Sequence, residues 1–196
     1  MGALRNRDGI VEKVRAAAHI AVATGKMLRG DVSLSMQGMD PVVYREAMSR
    51  YAGHVQIVTT EHQGIRRGVT ITAACSVSDS PPMVLACLNN SNPSNAILFE
   101  SGHFALNTLG AHHQDLANAF AGFGKLSAEE RFALAEWQVM ETGSPVLSDA
   151  VVAFDCQVVD RKVTNTHTVL FGEVRAVHFG PREPSLIYLD RGYHTL

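Results

Sequence analysis

Gly68 to Pro82 reads GVTITAACSVSDSPP, and its alternation decides the fold class. Successive side chains of a strand point to opposite faces. Val69, Ile71, Ala73, Cys75 and Val77 therefore share one apolar face, and Thr70, Thr72, Ala74 and Ser76 share the other. The second face is short and rich in hydroxyls. Two readings follow: a flat ligand lies close to the backbone there, or the segment is an ordinary strand with Thr, a good β former, on its wet side.

Working outward, the period-two pattern recurs. Strands are expected at Val55 to Thr60, Gly68 to Val77, Met83 to Asn89, His103 to Leu109, Val151 to Val159, Thr166 to Phe179 and Leu186 to Asp190, most of them bounded by Gly, Pro, Asn or Asp. Helices interrupt them at Gln114 to Phe123 and Ser127 to Trp137, the second opened by a Ser127/Glu130 capping box. Asp40 followed by Pro41 starts a helix carrying Tyr44, Met48 and Tyr51, which Gly53 stops. Short strands with few intervening helices favour a mainly β, closed or nearly closed antiparallel barrel with peripheral helices over a parallel βαβ sheet.

The 196 residues suit one domain and an added arm, assigned to 1–39 and 40–196 with the arm first. Val11, Val14, Ala18, Ala21 and Val22 recur at helical spacing in that arm. A signal peptide is the competing reading, but Asp8, Glu12, Lys13 and Arg15 crowd its short apolar region. Charge is nearly balanced, 17 Lys plus Arg against 19 Asp plus Glu, without the basic stripe of a nucleic-acid binder. No apolar run reaches the roughly 18 residues a membrane helix needs. Cys75, Cys87 and Cys156 form no C-x-x-C pair and read as buried thiols of a cytoplasmic protein.

Three segments carry candidate chemistry. Asn89-Asn90-Ser91-Asn92-Pro93-Ser94-Asn95 runs from a strand into a helix, so its amides with Asn89, Ser91, Asn92, Ser94 and Asn95 make either a phosphate cradle or a plain turn. His167 opens an apolar strand, where it is either a functional imidazole or a structural one. Asp190, Arg191, Tyr193 and His194 cluster after the final expected strand and either close a site or finish the chain. Gly122-Phe123-Gly124 lacks the third glycine and the preceding strand of a dinucleotide fingerprint. His112 and His113 are neighbours, which on a helix diverge by about 100°, so no metal site is expected from them.

The succession YREAMSRYAGHVQIVTT, RGVTITAACSVSDSPPMVLACLN, FALNTL, HQDLANAFAG, ERFALAEWQ, AFDC, THTVLFGEV and LIYLDRGYH resembles the short-chain flavin reductases from about Pro41 to Leu196. The resemblance implies a six-stranded split barrel, a homodimer, and FMN, with FAD possible, at the dimer interface. It implies flavin contacts at Thr70, Thr72, Ala73, Ala74, Cys75 and Ser76, phosphate and ribityl contacts in the Asn89 to Asn95 turn, His167 near the nicotinamide, and Arg191, Tyr193 and His194 near the ring. The implied activity is NAD(P)H-dependent reduction of FMN for a partner monooxygenase, by hydride transfer from nicotinamide C4 to flavin N5 with no catalytic triad. A family member that passes electrons to a corrinoid, cob(II)yrinic acid a,c-diamide, is the alternative, and a non-catalytic flavin-binding module is the other. The choice of NADH or NADPH is left open.

Overall fold

The computed structural model describes residues 38–196, and the chain divides after Arg50 into two units. The helix expected among residues 11–22 lies outside the described residues. In the first unit Asp40 Oδ1 accepts the Val42 N–H at 2.7 Å and caps α1 (Pro41–Ser49). Arg50 closes the last turn with its N–H on Ala47 O at 3.1 Å. The helix thus stops short of Tyr51, earlier than its sequence suggests.

The second unit contains twelve strands: β1 (Gly53–His54), β2 (Gln56–His62), β3 (Ile65–Ile71), β4 (Ala74–Asp79), β5 (Pro82–Asn89), β6 (His103–Thr108), β7 (Trp137–Val139), β8 (Pro145–Leu147), β9 (Val152–Val163), β10 (His167–Phe179), β11 (Leu186–Leu189) and β12 (Gly192–Thr195). Seven of them form one antiparallel sheet in the order β3-β2-β6-β9-β10-β5-β4. The strand expected at Gly68 to Val77 is therefore two strands, and they are the opposite edges of that sheet. Only Thr72 and Ala73 join them, and full extension carries Ile71 Cα to Ala74 Cα by no more than about 11 Å. The sheet must curl until its edges meet at this corner, but β3 and β4 are not paired to each other. The fold is mainly β and barrel-like as expected; it is open and seven-stranded rather than closed and six-stranded.

The break shifts the phase of the alternation. Val69, Ile71 and Ala74 pack on a core of Val58, Leu88, Leu98, Phe104 and Leu170. Ala73, Cys75 and Val77 are exposed, so the expected apolar face holds only as far as Ile71. A second core, with Val55, Ile57, Leu109, Phe120, Phe132 and Leu147, covers the other side; Ile57 and Val58 are neighbours that serve different cores, as side-chain alternation requires.

Helices α2 (Ala96–Glu100), α3 (Gln114–Phe120) and α4 (Ala128–Phe132) are short. The capping box of α4 is formed, with Ser127 N–H on Glu130 Oε2 at 2.7 Å and Glu130 N–H on Ser127 Oγ at 3.2 Å. Trp137 does not extend this helix. Its indole N–H donates to Phe132 O at 3.0 Å, meeting a terminal carbonyl, and the chain turns into β7, which pairs with β8. Helix α3 lies directly on β3 because Gly68 has no side chain: a Cβ there would stand 2.5 Å from the Phe120 ring. Thr70 Oγ1 donates to Ala117 O at 2.7 Å and fastens the pair. Strands β1, β11 and β12 form a separate sheet, so the residues after Asp190 are the second arm of a hairpin, not a tail.

Candidate active site

The corner where β3 ends is one wall of a cleft of about 560 Å³. Val69, Thr70, Ile71, Thr72 and Ala73 line it from the β3 side, Asn118, Ala121 and Phe123 from α3 and the turn after it, and Cys87, Leu88, Asn89 and His167 from the facing strands β5 and β10. Asn92 and Asn95 line it from the Asn-rich turn, and Tyr188, Arg191 and Tyr193 from the β11/β12 hairpin. Elements far apart in sequence thus converge on one space. Its volume and mixed lining are those of a small-molecule site.

The Asn-rich turn satisfies its own amides. Ser91 N–H and Oγ both donate to Asn89 Oδ1 at 2.8 Å. Ser94 N–H donates to Asn92 Oδ1 at 3.1 Å, Asn90 N–H to Thr166 O at 2.9 Å and Asn95 N–H to Asn92 O at 3.0 Å. Those amides are not left for an anion, so the amide cradle read from the sequence is not formed. What the turn offers the cleft is its carboxamides. Asn95 Nδ2 is fixed on Asn89 O at 2.8 Å, while its buried Oδ1 has no partner among the described residues.

His167 is the first residue of β10 and stands opposite Asn89 of β5. Its backbone is held by Thr164, whose N–H and Oγ1 donate to His167 O at 2.8 and 2.7 Å. Its Nδ1 lies 2.9 Å from Thr166 Oγ1, a contact that restrains the ring of this cleft-lining residue. Across the cleft, Asp190 (φ 48°) and Arg191 (φ 60°) form a two-residue hairpin turn with both residues left-handed, a geometry that suits the strand twist but strains residues other than glycine. It presents Tyr188 and Tyr193, a cross-strand pair in edge contact at 5.4 Å.

Burial pushes the Cys87 thiol and the Tyr193 phenol up, with Cys75 and Tyr188 adding to the respective shifts. Both stay neutral at neutral pH. Among the described lining residues Arg191 holds the only permanent charge.

Other expected site residues stand elsewhere. Ala74, Cys75 and Ser76 line a second cavity of about 310 Å³ with Gln56, Thr108 and Phe154, because the chain has already crossed to the other sheet edge. Ser94 lines a third hollow with Arg67 and Arg131. Ser91 is turned into its own loop, and His194 Nε2 lies 3.1 Å from Leu189 O. Of the three cysteines only Cys156 is fully buried. The sequence does not single out Asn118, Phe123 and Tyr188 as site residues; Tyr188 alone carries a signal, since it alternates with Ile187 and Leu189 in a strand that precedes the Arg191 cluster.

His112 and His113 do converge, contrary to the helical expectation. They sit on a tight 3₁₀ turn with rings 3.7 Å apart, and both face Asp149, at 3.2 and 3.1 Å. His113 Nδ1 accepts the Gly110 N–H at 3.1 Å, which puts the ring proton on Nε2 and makes that atom a donor rather than a metal ligand.

A family profile described as a flavin reductase like domain matches residues 48–196. FMN reductase (NADH) RutF 1 of Methylorubrum extorquens strain PA1 is 41% identical over 164 residues, 84% of this chain and 80% of that protein. Flavin reductase PheA2 superposes with a TM-score of 0.73 at 29% identity, covering 81% of this chain and 99% of PheA2. Nitrilotriacetate monooxygenase component B from Mycobacterium thermoresistibile gives 0.72 at 25% identity, over 79% and 86%.

Proposed function

This chain belongs to the flavin reductase like family, and from that premise we propose that its cleft is the site at which NADH reduces FMN. The observation that carries the reading is the convergence of the β3 corner, the Asn-rich turn, His167 and the Tyr188/Tyr193 hairpin on one cleft. The residues fit a flavin. The small side chains of Thr70, Thr72 and Ala73 admit a flat ring close to the backbone, and the unpartnered Asn95 Oδ1 suits a hydroxyl donor of the ribityl chain once the side chain relaxes toward it. When bound, the flavin takes up hydride from the nicotinamide, and the chemistry of that step is the cofactor's own. The chain contributes position and charge: His167 orients the reductant, Arg191 offsets negative charge near the ring or phosphate, and the neutral Cys87 and Tyr193 keep further charge out.

Residues 40–196 make up the reductase domain in this reading. The acceptor of the reduced flavin is an oxygenase component, as the name of the Mycobacterium thermoresistibile relative suggests for that protein. The smallest active unit is a cytoplasmic homodimer. The exposure of Cys75, Ser76 and Val77 beside the second cavity supports an interface on β4, and in this reading Ala74 to Ser76 meet a flavin that reaches across the corner. Sedimentation at micromolar concentration then gives twice the chain mass.

Anaerobic addition of NADH to the purified protein and excess FMN tests the activity. Bleaching of the flavin's visible absorbance, catalytic in protein, is the expected result. FMN that binds but is not bleached leaves only a binding module, and protein that neither binds nor bleaches FMN removes the site.

A further inference from the structure

Gly122-Phe123-Gly124, which fails as a dinucleotide fingerprint, has a place in the fold that the reductase reading leaves unused. Phe123 is 67% exposed although it lines the cleft. Large aromatic side chains bury most of their surface when nothing else constrains them. Both flanking glycines are left-handed, Gly122 at φ 97° and Gly124 at φ 77°, and Lys125 follows at φ 55°. No neighbouring atom lies within 4 Å of where a Cβ on Gly122 would be. The segment is anchored at both ends: Gly122 N–H bonds Ala119 O at 3.1 Å at the end of α3, and the Ser127/Glu130 box holds the start of α4. Phe123 is thus an unpacked aromatic ring on a short strap with glycine on either side.

We propose that Phe123 is a positioning residue for the reductant, an aromatic flap that folds onto a planar ring of the dinucleotide once the flavin is in place. The inference rests on the reductase reading. In that reading the flavin lies against the β3 backbone. Hydride transfer requires the nicotinamide to stack on the flavin's open face at about 3 to 3.5 Å, so the second ligand lies on the side of the flavin away from β3, and the exposed, cleft-lining Phe123 is available to it. Glycine on both sides gives the backbone the freedom the movement needs, and the Tyr188/Tyr193 pair supplies an opposing aromatic surface. No bond is made or broken by Phe123 itself.

The test compares wild type, Phe123→Ala and Phe123→Trp in anaerobic stopped-flow reduction of bound FMN over a range of NADH concentrations, beside an FMN titration and a thermal melt. Phe123→Ala is expected to raise the NADH concentration for half-maximal reduction about five- to tenfold, in line with the loss of one stacking contact, while the limiting rate, the FMN affinity and the melt stay as in wild type. Phe123→Trp restores the NADH dependence. An unchanged NADH dependence in Phe123→Ala overturns the proposal, and so does a fall in FMN affinity, which would make Phe123 part of the flavin's own pocket. A wild-type protein that never reduces FMN fails the reductase reading instead, and that failure is seen before any variant is made.

Discussion

The two halves of Gly68 to Pro82 are continuous in sequence and opposite in surroundings. Up to Ile71 the chain is paired to β2, lies under Phe120 at Gly68 and is tied to α3 through Thr70. After Ala74 it is the opposite edge of the same sheet, irregular between Ser76 and Ser78, with Cys75, Ser76 and Val77 exposed. The first half is a wall that other elements hold in place; the second is left exposed. Exposed edges tend to be blunted or paired, and the irregularity blunts this one only in part. The cleft thus takes its rigidity from one side of the corner, and the proposed homodimer interface falls on the other.

Gly68→Val attacks the held half directly. Its side chain overlaps the Phe120 ring, and a loss of about 3 kcal/mol is expected from overpacking, read as a lower urea midpoint with weaker FMN binding as α3 lifts from β3. A variant as stable as wild type would break the comparison at its strongest point. His167→Ala probes the facing wall. We expect hydride transfer slowed about ten- to a hundredfold, roughly 1.4 to 2.7 kcal/mol, with FMN affinity and melting temperature kept; a lowered melting temperature with normal kinetics would make His167 structural.

Ser76→Leu asks whether the ligand reaches across the corner to the edge half. About tenfold weaker FMN binding with an unchanged melt is expected, and an unaltered titration removes Ala74 to Ser76 from the site. Thr70→Val loses the bond to Ala117 O and costs about 1 kcal/mol in urea, whereas Ser76→Ala on the exposed edge costs less than about 0.5 kcal/mol. Equal costs for these two hydroxyls would erase the contrast between the halves.

Much of this architecture was legible. Asp40 with Pro41, and Ser127 with Glu130, announce helix starts through local hydrogen bonds that need no tertiary context, and each is formed. The strand at Met83 to Asn89 differs from β5 by one residue. The break at Thr72 and Ala73 was hidden, because neither residue is Gly or Pro and both tolerate extended backbone; the crossing is imposed by the curl that brings the two sheet edges together, a property of the whole sheet. The hairpin at Asp190 and Arg191 was hidden for a similar reason, since its left-handed turn contains none of the Asn-Gly or Gly-Gly pairs that advertise one. Among candidate site residues, Thr70, Thr72, Ala73, Asn89, Asn92, Asn95, His167, Arg191 and Tyr193 come together on the cleft. Ala74 to Ser76 do not, because the phase and the sheet edge change between Ala73 and Ala74. Phe123 was unreadable as a site residue because its significance is its lack of packing, and sequence does not display that.

The β1/β11 pairing has a consequence for biosynthesis. Gly53 and His54 pair with Tyr188 and Ile187, and Val55 N–H reaches Leu186 O at 2.9 Å, so the beginning and the end of this unit are laced together. A ribosome makes β1 early and β11 and β12 after every other described element, and segments emerge in that order. Until the hairpin is out, the cleft has no Tyr188, Arg191 or Tyr193, and β1 has no strand to pair with. The nascent chain therefore carries an unfinished cleft throughout elongation, and the cleft is completed only when the last described strands emerge.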